Sequence, residues 1–292
     1  MPPAFLLRAA EAQQGGKNKI LVVVFQRGAM DGLNAVIPFK DRGYYAARPN
    51  LAIAEPASGE ERAIDLDGFY ALHPALASLK EIYANGHLAI VHAAGSPDNT
   101  RSHFDAQDYM ELGTPGTRST PDGWLNRYLA SGRGRAGHFR AVAVTPQLPR
   151  VLAGGAPALT LASIDDFRPR NEAVAGALER LYANSADTLF RAGGQSLFGA
   201  LRELRGLESN IPASEGSYPT GRFAMSLAQI GRLIKAGVGL EIAFTEIGGW
   251  DTHVNQGGAT GQMANRLKEL ADGLRAFYRD LGDKMSDVVV LT

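Results

Sequence analysis

Three stretches of the sequence combine residue types that could hold a metal ion or bind an anion. Asp31 lies in RGAMDGLN, Ser102 lies in GSPDNTRSHFD, and Asp251 and His253 lie in TEIGGWDTHVN. A carboxylate and an imidazole two residues apart are a common pair of divalent-metal ligands. Two ligands cannot complete a site with four to six positions, so distant residues must contribute.

The second stretch has the residues of an anion site. A hydroxyl at a helix N-terminus, such as that of Ser102, sits in a positive field that favours its alkoxide and any attached anion. The guanidinium of Arg101 suits phosphate or sulfate oxygens. Simpler interpretations stay open: an ordinary turn at Asp31 and Gly32, a helix N-cap at Ser102, and a solvated turn at residues 248–255.

Other polar signals are given structural interpretations. His103 neighbours Ser102 and could touch the site, but a place on the helix face is the simpler expectation. Asp105 and Asp108 are expected to be solvated or salt-bridged. The G-x-G-x-x-G match at residues 132–137 follows a helix and precedes a strand, the reverse of a dinucleotide-binding loop.

The elements that must position these residues alternate along the chain. Runs rich in β-branched residues predict strands that are buried on both faces, as in a parallel sheet covered by helices. The predicted strands are residues 19–26, 87–92, 139–144, 158–162, 240–244 and 287–291. The predicted helices are residues 74–85, 102–112, 123–131, 171–207, 222–236 and 262–285.

This alternation is typical of an α/β fold, in which ligands bind at the carboxyl ends of the strands. The strands that begin near residues 19, 87, 240 and 287 are expected to be central. We expect Asp31, Ser102, Asp251 and His253 to converge at the carboxyl edge of the sheet.

Composition excludes several classes of protein. The 292 residues include 30 Lys plus Arg, 30 Asp plus Glu and no Cys, and 45% are hydrophobic. These values exclude a disordered chain or a coiled coil, and the lack of a basic stripe argues against a nucleic-acid partner. Disulfides, thiol catalysis and Cys-ligated zinc are excluded. No apolar run approaches the ~20 residues of a membrane span.

The segments RGAMDGLNAVIP, NTRSHFDAQDYMELG and GGWDTHVNQ resemble motifs of a bacterial family known as domain of unknown function 1501. That family belongs with the alkaline phosphatase and sulfatase superfamily. The resemblance implies a three-layer α/β/α sandwich with a mainly parallel sheet, formed by residues 19–292. Residues 1–18 are expected to be an extension or linker, and residues 163–222 are a candidate cap or insertion.

The resemblance also implies two divalent metal ions, which could be zinc, manganese or magnesium. Asp31 and Ser102 fall at ligand positions of one ion, and Ser102 is also the implied nucleophile. Asp251 and His253 fall at ligand positions of the other ion.

Two further residues are alternatives within the same implied site. Thr100 is a second choice for the nucleophilic hydroxyl. Asn255 stands four residues after Asp251, where many relatives of the family have the metal-binding His.

In this family, the strand that corresponds to residues 287–291 is followed by segments that supply the remaining metal ligands. The resemblance therefore implies a C-terminally truncated domain with an incomplete site and low metal occupancy. We expect such a chain to be close to inactive on a generic aryl phosphate, and an extended chain to bind metal more tightly. The strand at residues 287–291 is expected to leave an unpaired apolar edge.

The implied function is metal-dependent hydrolysis of a small-molecule phosphate ester, with sulfate esters as second choice. The formylglycine-type sulfatase pattern is not met, because the chain has no Cys and Ser96 is followed directly by Pro97. One alternative is a non-catalytic binding or export-associated protein of the cell envelope. A weaker alternative is a phosphomutase-like transferase. Family members typically begin with a twin-arginine export signal, so a periplasmic location is expected, although residues 1–18 hold no complete signal.

Overall fold

The computed structural model describes residues 19–57, 59–132, 137–165, 171–207 and 217–292. The predicted N-terminal extension at residues 1–18 lies outside the described residues. So does the middle of the glycine-containing loop, at residues 133–136.

Five parallel strands form the central sheet. In spatial order they are β6 (Leu159–Thr160), β5 (Ala141–Ala143), β7 (Ile242–Ile247), β1 (Ile20–Gln26) and β8 (Val288–Leu291). All five match predicted strands, although β7 runs three residues past the predicted end. The predicted α/β fold with a mainly parallel sheet is confirmed.

Alternate side chains of β1 enter different cores, which explains its continuous apolar run. Val22 and Val24 join the larger core, whereas Val23 joins the smaller one. Helices cover both faces, consistent with an α/β/α sandwich. The helices are α1 (Gly32–Ala35), α2 (Arg42–Ala47), α3 (Lys80–Ala84), α4 (His103–Leu112), α5 (Trp124–Ser131), α6 (Glu172–Ala183), α7 (Thr188–Leu207), α8 (Arg222–Ala236) and α9 (Gln262–Leu281).

The larger core lies between the sheet and the helices α8 and α9, which pack against each other. The 3-10 helix Pro74–Leu79 packs on α9 and adds Leu76 to this core. The smaller core is closed by Leu125 and Leu129 of α5. No helix within the described residues is long and apolar enough to cross a bilayer.

A second sheet was not predicted from the sequence. It is antiparallel and joins β2 (Val36–Ile37), β4 (Ala71–Leu72) and β3 (Ile64–Asp65) in that order. Its strands have two residues each, which is too short to leave a periodic signal. A separate apolar cluster packs around it, formed by Ile37, Phe39, Tyr44, Ile53, Ala63 and Ala71.

The prediction of a strand at residues 87–92 is wrong. The segment has no regular secondary structure and no strand pairs with it among the described residues. Leu88 and Ile90 still pack against the larger core, whereas Val91 is 79% exposed. The alternating burial resembles that of a strand, but the backbone has no hydrogen-bonded ladder.

The strand β8 was expected to be central, and this is also wrong. In the part of the chain that the structure describes, its one neighbour is β1, so β8 lies at the edge. Its side chains Val289 and Leu291 are exposed. The predicted apolar edge is therefore present.

The segment predicted as a cap contains the helices α6 and α7, which pack against each other. Residues 166–170 and 208–216 of the segment lie outside the described residues. Phe198 and Leu204 of α7 are buried, and Leu204 belongs to the larger core. The cap stays a prediction.

We expect Leu227→Ala to lower the free energy of unfolding by about 3 kcal/mol, because it leaves a cavity in the larger core. Leu227 is fully buried, whereas Leu181 on α6 is exposed. The matched control Leu181→Ala should change stability by less than about 0.5 kcal/mol. Urea denaturation followed by circular dichroism measures both, and equal losses would contradict the core assignment.

Candidate functional site

The loops that follow β1 and β7 lie against each other at the carboxyl edge of the sheet. Gly28 has a φ of +110°, and a Cβ atom there would lie 2.7 Å from the backbone nitrogen of Asp251. Only glycine permits both this backbone conformation and this approach. The loop after β7 is anchored by Trp250, which is buried and donates its indole N–H to the carbonyl of Ile247 at 2.9 Å.

Asp251 stands between two imidazoles. His253 Nε2 lies 2.8 Å, and His103 Nε2 3.2 Å, from the same carboxylate oxygen, Oδ1. One possible ligand atom from each residue lies within 4.8 Å of the others. The side chain of Asp251 is 45% exposed, that of His253 is 73% exposed and that of His103 is 38% exposed. This group, which we call the His-Asp-His group, is therefore open to solvent.

The sequence analysis did not assign His103 to the site. It is the first residue of α4, and its ring reaches a loop almost 150 positions further along the chain. Its position beside Ser102 was the one available signal. His253 has a φ of +44°, which is costly for a residue with a side chain.

Ser102 is the N-cap of α4, as its simpler interpretation predicted. Its hydroxyl oxygen accepts a hydrogen bond from the backbone N–H of Asp105 at 3.2 Å. The hydroxyl oxygen of Thr100 accepts one from the backbone N–H of Ser102, also at 3.2 Å. Arg101 is exposed. The loop thus holds Ser102 next to the helix N-terminus and directly before His103.

Asp31 lies in a different polar cluster. Its Oδ2 atom accepts hydrogen bonds from Arg48 at 2.5 Å and from Gln256 at 2.8 Å. Its Oδ1 atom accepts one from the backbone N–H of Asn34 at 3.3 Å, which makes Asp31 the N-cap of α1. Both carboxylate oxygens are already engaged, and Asp31 is not a member of the His-Asp-His group.

Asn255 ends the 3-10 turn His253–Asn255 and is exposed. The structure places Asp251 and His253 beside His103. Asp31 instead accepts hydrogen bonds from Arg48 and Gln256.

Arg27 ties α4 to the sheet. Its guanidinium bonds Glu246 of β7 at 2.5 Å and, on α4, Gln107 and Glu111 at 2.9 Å each. The second carboxylate oxygen of Glu111 accepts the buried backbone N–H of Val151 at 3.0 Å. Burial lowers the pKa of Arg27, but the hydrogen bond to Glu246 and the charges of Glu111 and Glu246 outweigh it, so the pKa lies above its usual value.

The outer face of α4 is also paired. Arg118 bonds Asp105 at 2.7 Å and Asp108 at 2.9 Å, and Arg150 bonds Asp108 at 2.9 Å. Of the two alternatives left open for Asp105 and Asp108, solvated or salt-bridged, the structure shows the second.

A buried histidine holds the loop that contains Gln256. His73 is fully buried, and its Nδ1 accepts the backbone N–H of Ala75 at 3.0 Å. Its Nε2 must then carry the proton, and it donates to the carbonyl of Gly258 at 3.0 Å. Burial lowers the pKa of His73, and the bond to Gly258 opposes this only in part.

Comparison with known proteins gives no matching family model, no similar curated protein and no similar solved structure. The functional argument therefore rests on the geometry of the site and on the sequence.

Glu111→Ala should lower the free energy of unfolding by about 3 kcal/mol, because it leaves Arg27 with one carboxylate fewer and the N–H of Val151 without an acceptor. Glu111→Gln keeps an acceptor for Val151 and should cost about 1 kcal/mol. Chemical denaturation of both variants measures this. An alanine variant no less stable than the glutamine variant would contradict the role of Glu111.

His73 should make stability depend on pH. Because its pKa in the folded state is below the usual 6.5, its contribution is complete above pH 6.5 and is lost as the pH falls below that value. The loss has a slope of at most about 1.4 kcal/mol per pH unit.

The difference in unfolding free energy between the wild type and His73→Gln isolates this effect. This difference should be constant above about pH 7.5 and shrink below pH 6.5. The reason is that only in the wild type must folding keep an imidazole neutral at a pH where the unfolded chain binds a proton. A difference that does not change between pH 5 and pH 8 would mean that His73 titrates normally.

Proposed function

We propose that the chain is a divalent-metal-dependent hydrolase of small-molecule phosphate esters. The observation that carries the proposal is the His-Asp-His group, His103, Asp251 and His253, at the carboxyl edge of a parallel sheet. Two imidazoles and one carboxylate form a common ligand set for a catalytic zinc ion, which keeps a further position open. The exposure of the group leaves room for that position.

The donor set fits one ion better than two. The second ion implied by the family resemblance would need Asp31, whose carboxylate is already bonded by Arg48 and Gln256. We therefore propose a single ion at the His-Asp-His group. Membership of the alkaline phosphatase and sulfatase superfamily and an exported location stay proposals, since a fold does not by itself confer an activity.

The residues around the group have complementary roles. A divalent ion bound there would withdraw charge from a phosphoryl oxygen. The exposed guanidinium of Arg101 would bind the other phosphoryl oxygens, and the positive end of α4 would favour the charge that develops there. The hydroxyl of Ser102 would attack phosphorus and release the alcohol, and water would then hydrolyse the phosphoserine.

A second candidate function is metal binding without catalysis. The engagement of Asp31 by Arg48 and Gln256 favours it, because it leaves three ligands for one exposed ion. A weakly held ion cannot strongly assist Ser102. The two candidates agree on metal binding and differ on the chemistry of Ser102.

We expect zinc or manganese to bind with one equivalent per chain in calorimetry and elemental analysis. His103→Ala and Asp251→Asn should weaken binding at least about 10-fold, because even indirect partners of metal ligands contribute this much. The matched control is His92→Ala, since His92 is an exposed imidazole that stacks on Tyr70. The metal site would be refuted if the wild type bound no metal. It would also be refuted if His92→Ala lost binding while His103→Ala and Asp251→Asn kept it.

The catalytic step is tested by incubation with an aryl phosphate and zinc, followed by intact-mass analysis for one added phosphoryl group. Turnover is expected to be slow, so trapping of phosphoserine is the sharper measurement. Ser102→Ala should abolish the label and the aryl alcohol burst. Ser96→Ala is the matched control, because Ser96 also accepts a local backbone N–H, that of Asp98. Metal binding without label would favour the second candidate.

A further inference from the structure

A cavity of about 250 Å³ lies where β5 and β6 end, at the start of α8. It is separate from the His-Asp-His group, none of whose residues line it. The lining includes Ser163, Arg222, Ser226 and Gln229. None of the described lining residues is acidic, so the lining offers hydrogen-bond donors and one cation without a competing carboxylate.

The start of α8 has no side-chain cap of its own. Its N-cap is Gly221, which gives no side-chain hydrogen bond, and its first turn holds no acidic residue. Arg222, the first helical residue, is exposed and forms no ion pair with any described residue. A cation at the positive end of a helix is unfavourable unless an anion binds nearby. A Cβ atom at Gly221 would lie 3.5 Å from Oε1 of Glu269, whose other carboxylate oxygen is paired with Arg266 at 2.6 Å.

Two almost completely buried side chains direct free donors to this cavity. Ser226 is 8% exposed, and its hydroxyl has no hydrogen-bond partner among the described residues. Gln229 is 7% exposed, and its Oε1 accepts hydrogen bonds from the backbone N–H of Ile164 and from Arg232. These two donors fix the orientation of the amide, so its NH₂ group is the side left for a ligand.

The free donors lie on one face of α8. Arg222, Ser226 and Gln229 are spaced at i, i+4 and i+7, which is the spacing of a single helical stripe. The hydroxyl of Ser163 faces the same cavity, and its oxygen already accepts the N–H of Asp165. Its proton is thus available to a ligand.

We propose that this cavity binds a tetrahedral oxyanion of the phosphate class. Arg222 supplies the charge, the uncapped first turn of α8 supplies backbone N–H groups, and Ser226 and Gln229 supply neutral donors. The site does not depend on the proposed metal or on Ser102. Free phosphate and the phosphoryl group of a small ester share the chemistry that these donors recognise.

Calorimetry with inorganic phosphate, sulfate, phenyl phosphate and acetate tests the proposal, in buffer that contains a chelator so that no metal takes part. The two inorganic oxyanions should bind, and acetate should bind at least about 10-fold more weakly because it presents fewer oxygens. Binding of phenyl phosphate would identify esters as ligands, whereas its exclusion would identify the free ion. Absence of phosphate and sulfate binding would overturn the proposal.

Arg222→Met should weaken phosphate binding at least about 10-fold, since a charged hydrogen bond is lost. Ser226→Ala should weaken it by a smaller factor and serves as a second variant if the first folds poorly. Arg42→Met is the matched control and should bind phosphate like the wild type, because Arg42 is also an exposed arginine at the first position of a helix, α2. Loss of binding in Arg101→Met with retention in Arg222→Met would place the anion beside Ser102 and refute this site.

Discussion

The ionic contact of Arg27 with Glu246 and Glu111 determines where the candidate site can form. Arg27 directly follows β1, Glu246 lies in the neighbouring parallel strand β7, and Glu111 lies on the last turn of α4. One guanidinium thus fixes the direction of a helix relative to the edge of the sheet. The N-terminus of that helix carries Ser102 and His103. A change in the tilt of α4 would move His103 away from Asp251, even though no residue of the contact belongs to the His-Asp-His group.

The ion pairs at this edge differ in how far they are shielded from solvent. Glu111 is almost fully buried and Arg27 is only partly exposed, so solvent screens their attraction weakly and the attraction offsets part of the cost of removing both charges from water. The His-Asp-His group is exposed, and its ion pairs contribute little to stability. The positive φ of His253 adds a local cost. A group that contributes little to folding and includes strained backbone is a reasonable place for ligand binding.

The sequence predicted the parts of the fold that depend on local patterns. The β-branched run at β1 requires apolar surroundings on both faces, and the structure supplies them. The run at residues 87–92 has similar composition, but strand formation needs a partner, which composition cannot specify. At the site, the pair Asp251 and His253 was visible because its members are adjacent in sequence. The contacts of Asp31 with Arg48 and Gln256 join separate segments and left no local signal. The contact of His103 with Asp251 also joins separate segments, and the position of His103 beside Ser102 was its one local signal.

The carboxyl edge of the sheet thus carries two chemically distinct regions, the proposed metal site at β1 and β7 and a donor-rich cavity at β5 and β6. The arrangement of His103, Asp251 and His253 around one ion is most directly tested by anomalous diffraction at the zinc edge from crystals grown with zinc. We expect one strong peak about 2.0–2.2 Å from the two imidazole nitrogens and the Asp251 carboxylate. A peak bound by Asp31 instead, or no peak near His103, would contradict the proposed metal site.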